Sequence, residues 1–467
     1  MVVFAAEDRH GKGTSMKVVK FGGTSLADAR QILKVVNIVK SDDARRIVVV
    51  SAPGKRNAND IKVTDLLIAL AKAMLAGKAF ENELAAVTQR YSEIQQELGL
   101  DGGVVKEIED DLRRRIQGRG DHDAQFMDAM KAAGEDNCAK LVARVFVQQG
   151  VPAQYVDPRE AGMLLSDDFG NAQVLPESYS RLSSLKDVNE IAIFPGFFGY
   201  TRQGDVVTFP RGGSDITGSI LAAAVKAEMY ENFTDVDSVF AIDPRIVPNS
   251  RPIPVLTYRE MRELAYAGFG VFHDEAVVPA IQAKVPICIK NTNRPEAPGT
   301  LIVPERKYRH GEVVGIASAS GFSTIYLSKY MMNREVGFGR RVLQILEQEQ
   351  LSFEHLPSGI DSMSVILRSA PLTKHKEQHV LKRIREELQP DDVNIEHDLA
   401  LIMVVGEGMR YAVGVASTAC VALAEKGVNI EMINQGSSEI SIMFGVKEVD
   451  RKAAVEALGR ALIPHHG

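Results

Sequence analysis

From Lys17 onward, short runs of apolar, often β-branched residues alternate with longer stretches in which apolar positions recur every three or four residues. Val18–Phe21 predicts a buried strand, and Leu26 to Val39 predicts a helix with Ile32, Val35, Val36 and Val39 on one face and Thr24 or Ser25 as its N-cap. Arg46–Ser51 carries the continuous run Ile47-Val48-Val49-Val50, and Val63 to Leu75 places Leu66, Leu67, Leu70 and Met74 at helical spacing. Residues 80–133 are charged and helical in pattern. Ala139 to Phe146 is helical again, and Ala153–Val156 and Ile191–Phe194 read as strands. Near-continuous apolar strands between helices predict a mostly parallel α/β sheet covered on both faces, with ligands beyond the carboxyl ends of its strands.

The pattern changes after Pro295–Gly315, a stretch rich in Pro, Gly, Arg and Lys. Beyond it lies an internal repeat: Leu346, Glu354, Gly359 and Ser364 correspond to Leu423, Glu431, Gly436 and Ser441, 77 positions on (431−354, 436−359, 441−364). In the first copy Phe338, Val342, Ile345 and Leu346 form a helical face, followed by predicted strands at Leu351–His355 and Met363–Leu367. Val415, Ala419, Ala422 and Leu423, then Val428–Ile433 and Glu439–Phe444, repeat this in the second. Such βαββ units cannot bury their sheet faces alone, so paired copies should pack together or against another subunit.

With 467 residues the chain calls for two or three domains. A net charge of −6 argues against nucleic acid or an acidic membrane as partner. No apolar run is long enough to span a bilayer, and the N-terminus lacks the core of a signal peptide. Cys138, Cys288 and Cys420 are too scattered for a zinc site or disulfide framework and read as reduced thiols of a cytoplasmic protein. His465 and His466 read as a solvated tail. Residues 1–15 are polar and aperiodic, an expected flexible extension before Met16.

Two motifs carry candidate chemistry: Lys20-Phe21-Gly22-Gly23-Thr24-Ser25 and Arg211-Gly212-Gly213-Ser214-Asp215. Each follows an apolar stretch and opens a helical one. Bare backbone amides at a helix start favour phosphate, and glycine pairs let an anion approach with no Cβ in the way. With a lysine in one and an arginine and an aspartate in the other, the two motifs read as a phosphotransfer site that also holds an anionic acceptor.

Together these motifs resemble the aspartate kinases. The resemblance extends through Gly134-Glu135, Thr234-Asp235, Asp243-Pro244-Arg245 and the repeat, whose units look like amino-acid-sensing ACT domains; Ile433 through Ser441 matches aspartate kinase tails closely. It implies an amino-acid-kinase fold, a mostly parallel sheet sandwiched by helices, followed by two α+β ACT (βαββ) domains. The expected boundaries are 16–305 for the catalytic domain, 313–390 for the first ACT copy and 395–467 for the second. The implied reaction phosphorylates the side-chain carboxylate of aspartate with ATP, accompanied by Mg²⁺ and no prosthetic group, as the first step toward lysine, threonine and methionine. Such an acceptor is already ionised at pH 7, so the work is positioning and charge neutralisation. By the same resemblance Lys20 and Asp215 act in transfer. Lys20, Gly22, Gly23, Thr234, Asp235, Phe240 and Arg245 hold ATP. Ser51, Thr64, Glu135, Phe197, Arg211, Gly213 and Ser214 hold aspartate, with Arg211 suited to its carboxylate and Glu135 to its ammonium. No metal-ligating residues are assigned.

Phe240 stands where many relatives carry tyrosine, and Gly270 where many carry a lysine near the phosphates; His273 reads as structural. Phe338, Gly339, Ser352, Glu354 and Ser358 line up with an effector pocket, Glu354 with an acidic residue implied to hold the ammonium of inhibitory lysine. The effector is expected to be lysine, threonine or both, and the ACT domains are expected to join a homo-oligomer, a dimer. Other amino-acid kinases are disfavoured by the ACT pair and the second glycine motif. An amino-acid-sensing regulator with an inactive kinase domain is the remaining alternative, disfavoured by intact Lys20 and Asp215.

Overall fold

The computed structural model describes residues 15–120, 122–210, 212–269 and 274–463. Of the expected extension over 1–15 only Ser15 falls within them, and Arg211, Gly270, His273, His465 and His466 lie outside them. Two compact units divide the chain: Met1–Val239 with Val271–Glu305, and Phe240–Gly270 with Arg306–Gly467. By chain order Phe240–Gly270 lies inside the expected 16–305 stretch. Its backbone is tied to the second unit, Ile316 N–H donating to Ala241 O at 2.7 Å. Among the described residues no helix is long and apolar enough to cross a membrane.

In the first unit the strands are ordered Ala153–Tyr155, Ile191–Pro195, Arg45–Val50, Lys17–Phe21, Met229–Thr234, Ile287–Asn291 and Thr300–Val303. All neighbours pair in parallel except the last two. Val18, Val19, Phe21 and Ile47 through Val50 are buried, which is why those strands read as near-continuous apolar runs, broken in the first only by Lys20. The first strand in sequence lies mid-sheet: the chain fills one flank, then crosses to Met229–Thr234 on the other. The carboxyl ends of Lys17–Phe21 and Met229–Thr234 therefore meet at a topological switch point, where such sheets open a crevice.

The helix expected from Leu26 begins at Ala29, capped by Asp28, whose carboxylate accepts from Gln31 N–H at 2.8 Å. Neither Thr24 nor Ser25 caps it, because Gly23–Leu26 forms a 3₁₀ turn held by long-range backbone bonds, Gly22 N–H to Phe233 O and Gly54 N–H to Gly23 O. The first glycine motif thus opens a tight turn rather than an α-helix. Ala139 to Phe146 is the end of one long helix, Asp123–Gln148, which buries Gly134 and Glu135 in its middle. A Cβ on Gly134 would stand 2.9 Å from that of Ala52, so glycine lets this helix approach the strand-end loop.

The second unit contains an antiparallel sheet ordered Ser362–Arg368, Gly315–Ser328, Asp392–Val405, Ser441–Lys447 and Met432–Asn434. The repeat is visible in the elements: strands starting at Gly315 and Asp392, helices at Phe338 and Val415, and helices at Lys374 and Arg451 are each 77 residues apart (392−315, 415−338, 451−374). The copies merge through the long strands Gly315–Ser328 and Asp392–Val405 into one sheet. The expected strand Leu351–His355 does not form; only His355 bridges, to Ile366. Pro357 follows with no N–H for the ladder, and Glu354 and His355 N–H both converge on Ile366 O. In the second copy the expected Val428–Ile433 strand shrinks to Met432–Asn434.

A buried charge cluster also organises this unit. Glu260 accepts from Arg306 Nε at 2.8 Å and Nη2 at 2.7 Å, and from the backbone N–H of Thr257 and Glu407, both at 2.9 Å. Replacing Glu260 by Gln should leave Arg306 with Glu312, 3.0 Å from its Nη1, for compensation and cost about 2 kcal/mol. The measurement is the unfolding midpoint, and an unchanged midpoint would refute it.

Candidate active site

Lys20 is the penultimate residue of its strand, and its Nζ lies 2.5 Å from Asp215 Oδ1, with both side chains largely buried. Asp215 sits in the first turn of helix Gly213–Val225, whose N-cap is Gly212 at φ +78°. Asn232, the register partner of Lys20 on the adjacent strand, donates from Nδ2 to Asp215 Oδ1 at 2.8 Å and accepts from Lys20 Nζ at 3.5 Å. Sequence reasoning missed Asn232; its only signal is a polar residue among Tyr230, Glu231 and Phe233 in a buried strand.

Close backbone approaches build the surrounding walls. A Cβ on Gly23 would stand 2.9 Å from Ala52 O, and one on Gly54 would stand 2.5 Å from Gly23 C, so two strand-end loops lie back to back. Behind them Arg90, also unmarked in the sequence, donates from Nη2 to Gly54 O at 2.8 Å and Ala27 O at 3.3 Å. Across the site, a Cβ on Gly213 would meet the Phe197 ring at 2.6 Å, and one on Gly196 would meet Ser214 at 2.6 Å. Phe197 itself has φ +75°, a strained value for a non-glycine residue. It is held by its N–H to Thr217 Oγ1 at 3.0 Å and by Phe209 N–H to its carbonyl at 2.9 Å. Phe197, Gly213 and Ser214 therefore form one packed corner.

Glu135 is 5% exposed, and its Oε2 has no hydrogen-bond partner among the described residues. Burial pushes its carboxyl up to about 8, against the lowering effect of a hydrogen bond from the Ala52 backbone. A buried carboxyl with a free oxygen is suited to receive a cationic group. Ser51, beside Ala52, and Thr64, second in helix Val63–Leu75, are half-buried. Thr234 and Asp235 lie at the end of the switch-point strand, where Thr292 N–H donates to Thr234 O at 2.9 Å. Arg211 lies outside the described residues. Phe240 and Arg245 belong to the second unit: Phe240 bridges to Pro252, and the exposed Arg245 pairs with Asp243 at 2.7 Å.

Of the expected effector residues, Phe338 is buried at its helix start, Gly339 is half-buried, and Ser352 and Ser358 are exposed. Glu354 is already engaged, accepting from Arg368 Nε at 3.1 Å and from the Tyr266 hydroxyl. An arriving ammonium would compete with Arg368.

Residues 15–291 match the amino acid kinase family, and 402–462 match an ACT domain. The chain is 56% identical over 443 residues to Aspartokinase 3 of Bacillus subtilis (strain 168), covering 95% of this chain and 98% of that one. The Clostridium acetobutylicum aspartate kinase structure shares 37% identity at a TM-score of 0.84, covering 96% of this chain and all of that one. E. coli aspartokinase III, 26% identical over 96% of this chain and all of its own, matches at 0.80 with aspartate and ADP (R-state) and 0.74 with lysine and aspartate (T-state). With the parallel sheet, the switch-point pair and the ACT repeat, these likenesses place the chain in the amino acid kinase family, among the aspartokinases.

Proposed function

We propose that this aspartokinase transfers the γ-phosphoryl group of ATP to the side-chain carboxylate of aspartate between Lys20 and the corner formed by Phe197, Gly213 and Ser214. The observation that carries this reading is the joining of Lys20 and Asp215 in one unit that also buries Glu135, one of whose carboxyl oxygens has no partner among the described residues. Lys20 supplies positive charge to the transferring phosphoryl group, and Asp215 orients Lys20. Glu135 takes the substrate ammonium, and Arg211 is assigned its α-carboxylate. Ser51 and Thr64 complete the acceptor side. Gly22, Gly23, Thr234 and Asp235 serve the nucleotide, to which Phe240 and Arg245 are assigned by resemblance alone. Mg²⁺ suits this donor set as an ion carried on the nucleotide phosphates, with Asp215 the carboxylate beside Lys20; there it would neutralise phosphate charge. Aspartate-dependent ADP release in a coupled assay tests the reading, and ADP release indifferent to aspartate would overturn it.

Regulation is assigned to the ACT repeat, with lysine, threonine or both as effector, and the enzyme to the cytoplasm. A homodimer through this unit is supported by Val336 and Val413, 98% and 99% exposed at repeat-equivalent positions (413−336 = 77). For lysine, Glu354→Ala should raise the half-inhibiting concentration at least about tenfold, the size of an ordinary coupling energy, while uninhibited turnover stays unchanged. Equal inhibition of parent and variant would reduce Glu354 to a partner of Arg368.

A further inference from the structure

We infer that Asn232 is a positioning residue for phosphoryl transfer, fixing the separation and direction of the Lys20 ammonium and the Asp215 carboxylate. The inference rests on the assignment of that pair to the transfer step. Lys20 and Asn232 are directly paired on neighbouring parallel strands, so their side chains leave the sheet on the same face. Asn232 is 2% exposed and reaches both members of the pair: Nδ2 to Asp215 Oδ1 at 2.8 Å, and Oδ1 to Lys20 Nζ at 3.5 Å. The amide orientation follows from chemistry. A carboxylate only accepts and an ammonium only donates, so nitrogen must face Asp215 and oxygen must face Lys20.

Three groups thus form a closed triangle, its third side the 2.5 Å contact between Lys20 and Asp215. An ammonium has three N–H groups. Asp215 and Asn232 engage two, which fixes the direction of the third. Without Asn232 the lysine, a flexible point charge on a four-carbon stem, can swing about its contact with Asp215. A phosphoryl group in transfer needs that charge in one place, because small displacements of a catalytic group cost large factors in rate.

Two variants test this. Asn232→Leu keeps the approximate volume and removes both hydrogen bonds. Asn232→Asp keeps the shape but replaces the donor facing Asp215 with an acceptor. Both should lower kcat at least about tenfold, with KM for ATP and for aspartate within about threefold of the parent. A merely structural amide would lower the unfolding midpoint and leave kcat per folded molecule intact. The inference is overturned if either folded variant keeps kcat within about twofold of the parent, or if KM rises while kcat holds. Asn232→Asp remains decisive if Asn232→Leu fails to fold. Lys20→Ala separates the two levels of the argument: if it retains turnover, the assignment of the pair fails, whereas an inactive Lys20→Ala beside an active Asn232→Leu ends only the role of Asn232.

Discussion

Lys20→Ala should lower aspartate-dependent turnover by about 10² to 10³-fold, on the order of 3–4 kcal/mol of transition-state stabilisation. The figure is that for removing one preorganised charged or hydrogen-bonding group aimed at developing charge in a water-poor site. Lys20 is 7% exposed and its ammonium is held by Asp215 and Asn232, so little reorganisation is needed when phosphate charge arrives. Truncation also leaves Asp215 without its cation. Part of the loss therefore comes from an uncompensated carboxylate beside an anionic substrate. The effect should fall on kcat, read by steady-state kinetics on a variant with the parent's unfolding midpoint. Near-parental turnover in such a variant would remove Lys20 from the transfer step.

The second large effect concerns Glu135 and has a definite pH signature. Burial raises its carboxyl to about 8, so the ligand-free protein keeps a proton there through neutral pH. A substrate ammonium favours the ionised form, and binding aspartate must then expel that proton. Below about pH 8 aspartate affinity should fall as pH falls, approaching roughly tenfold per unit, and above it level off. Stability of the ligand-free protein runs the other way. The raised carboxyl contributes stability that is fully present below its unfolded value of 4.5 and lost as pH rises from there through about 8. Glu135→Gln, close in size but unable to ionise, should flatten the pH dependence and raise KM for aspartate by about 150-fold, roughly 3 kcal/mol, with KM for ATP unchanged. An unaltered KM for aspartate would return Glu135 to a purely structural place in its helix.

The class of the first unit and the existence of the repeat are written along the chain. Ile47–Val50 and, apart from Lys20, Val18–Phe21 are apolar on both faces, a pattern that needs covering layers on each side, and those strands are buried in that way. The 77-residue offset is legible because repeated elements repeat their core positions: Phe338, Val342, Ile345 and Leu346 are buried, as are Ala419, Ala422 and Leu423. The glycine loops are legible as well, since the need for close backbone approach is a local steric property. What those glycines approach is not. Gly213 makes room for the Phe197 ring, and Gly23 for the loop at Ala52 and Gly54. Asp28 displaces Thr24 and Ser25 as a cap because long-range backbone bonds hold Gly22 and Gly23 in a turn. The strand expected at Leu351–His355 is lost to the local pairing around Ile366 and Pro357. Asn232 and Glu135 draw their significance from register and desolvation. One stands beside Lys20 across 212 residues, and the other is an acidic residue sealed inside a helix packed against Ala52. Hydrophobic periodicity and turn sterics act over a few residues and can be read in order along the chain. Strand register and burial depend on residues hundreds of positions away, so they exist as properties of the folded molecule and not of any local segment.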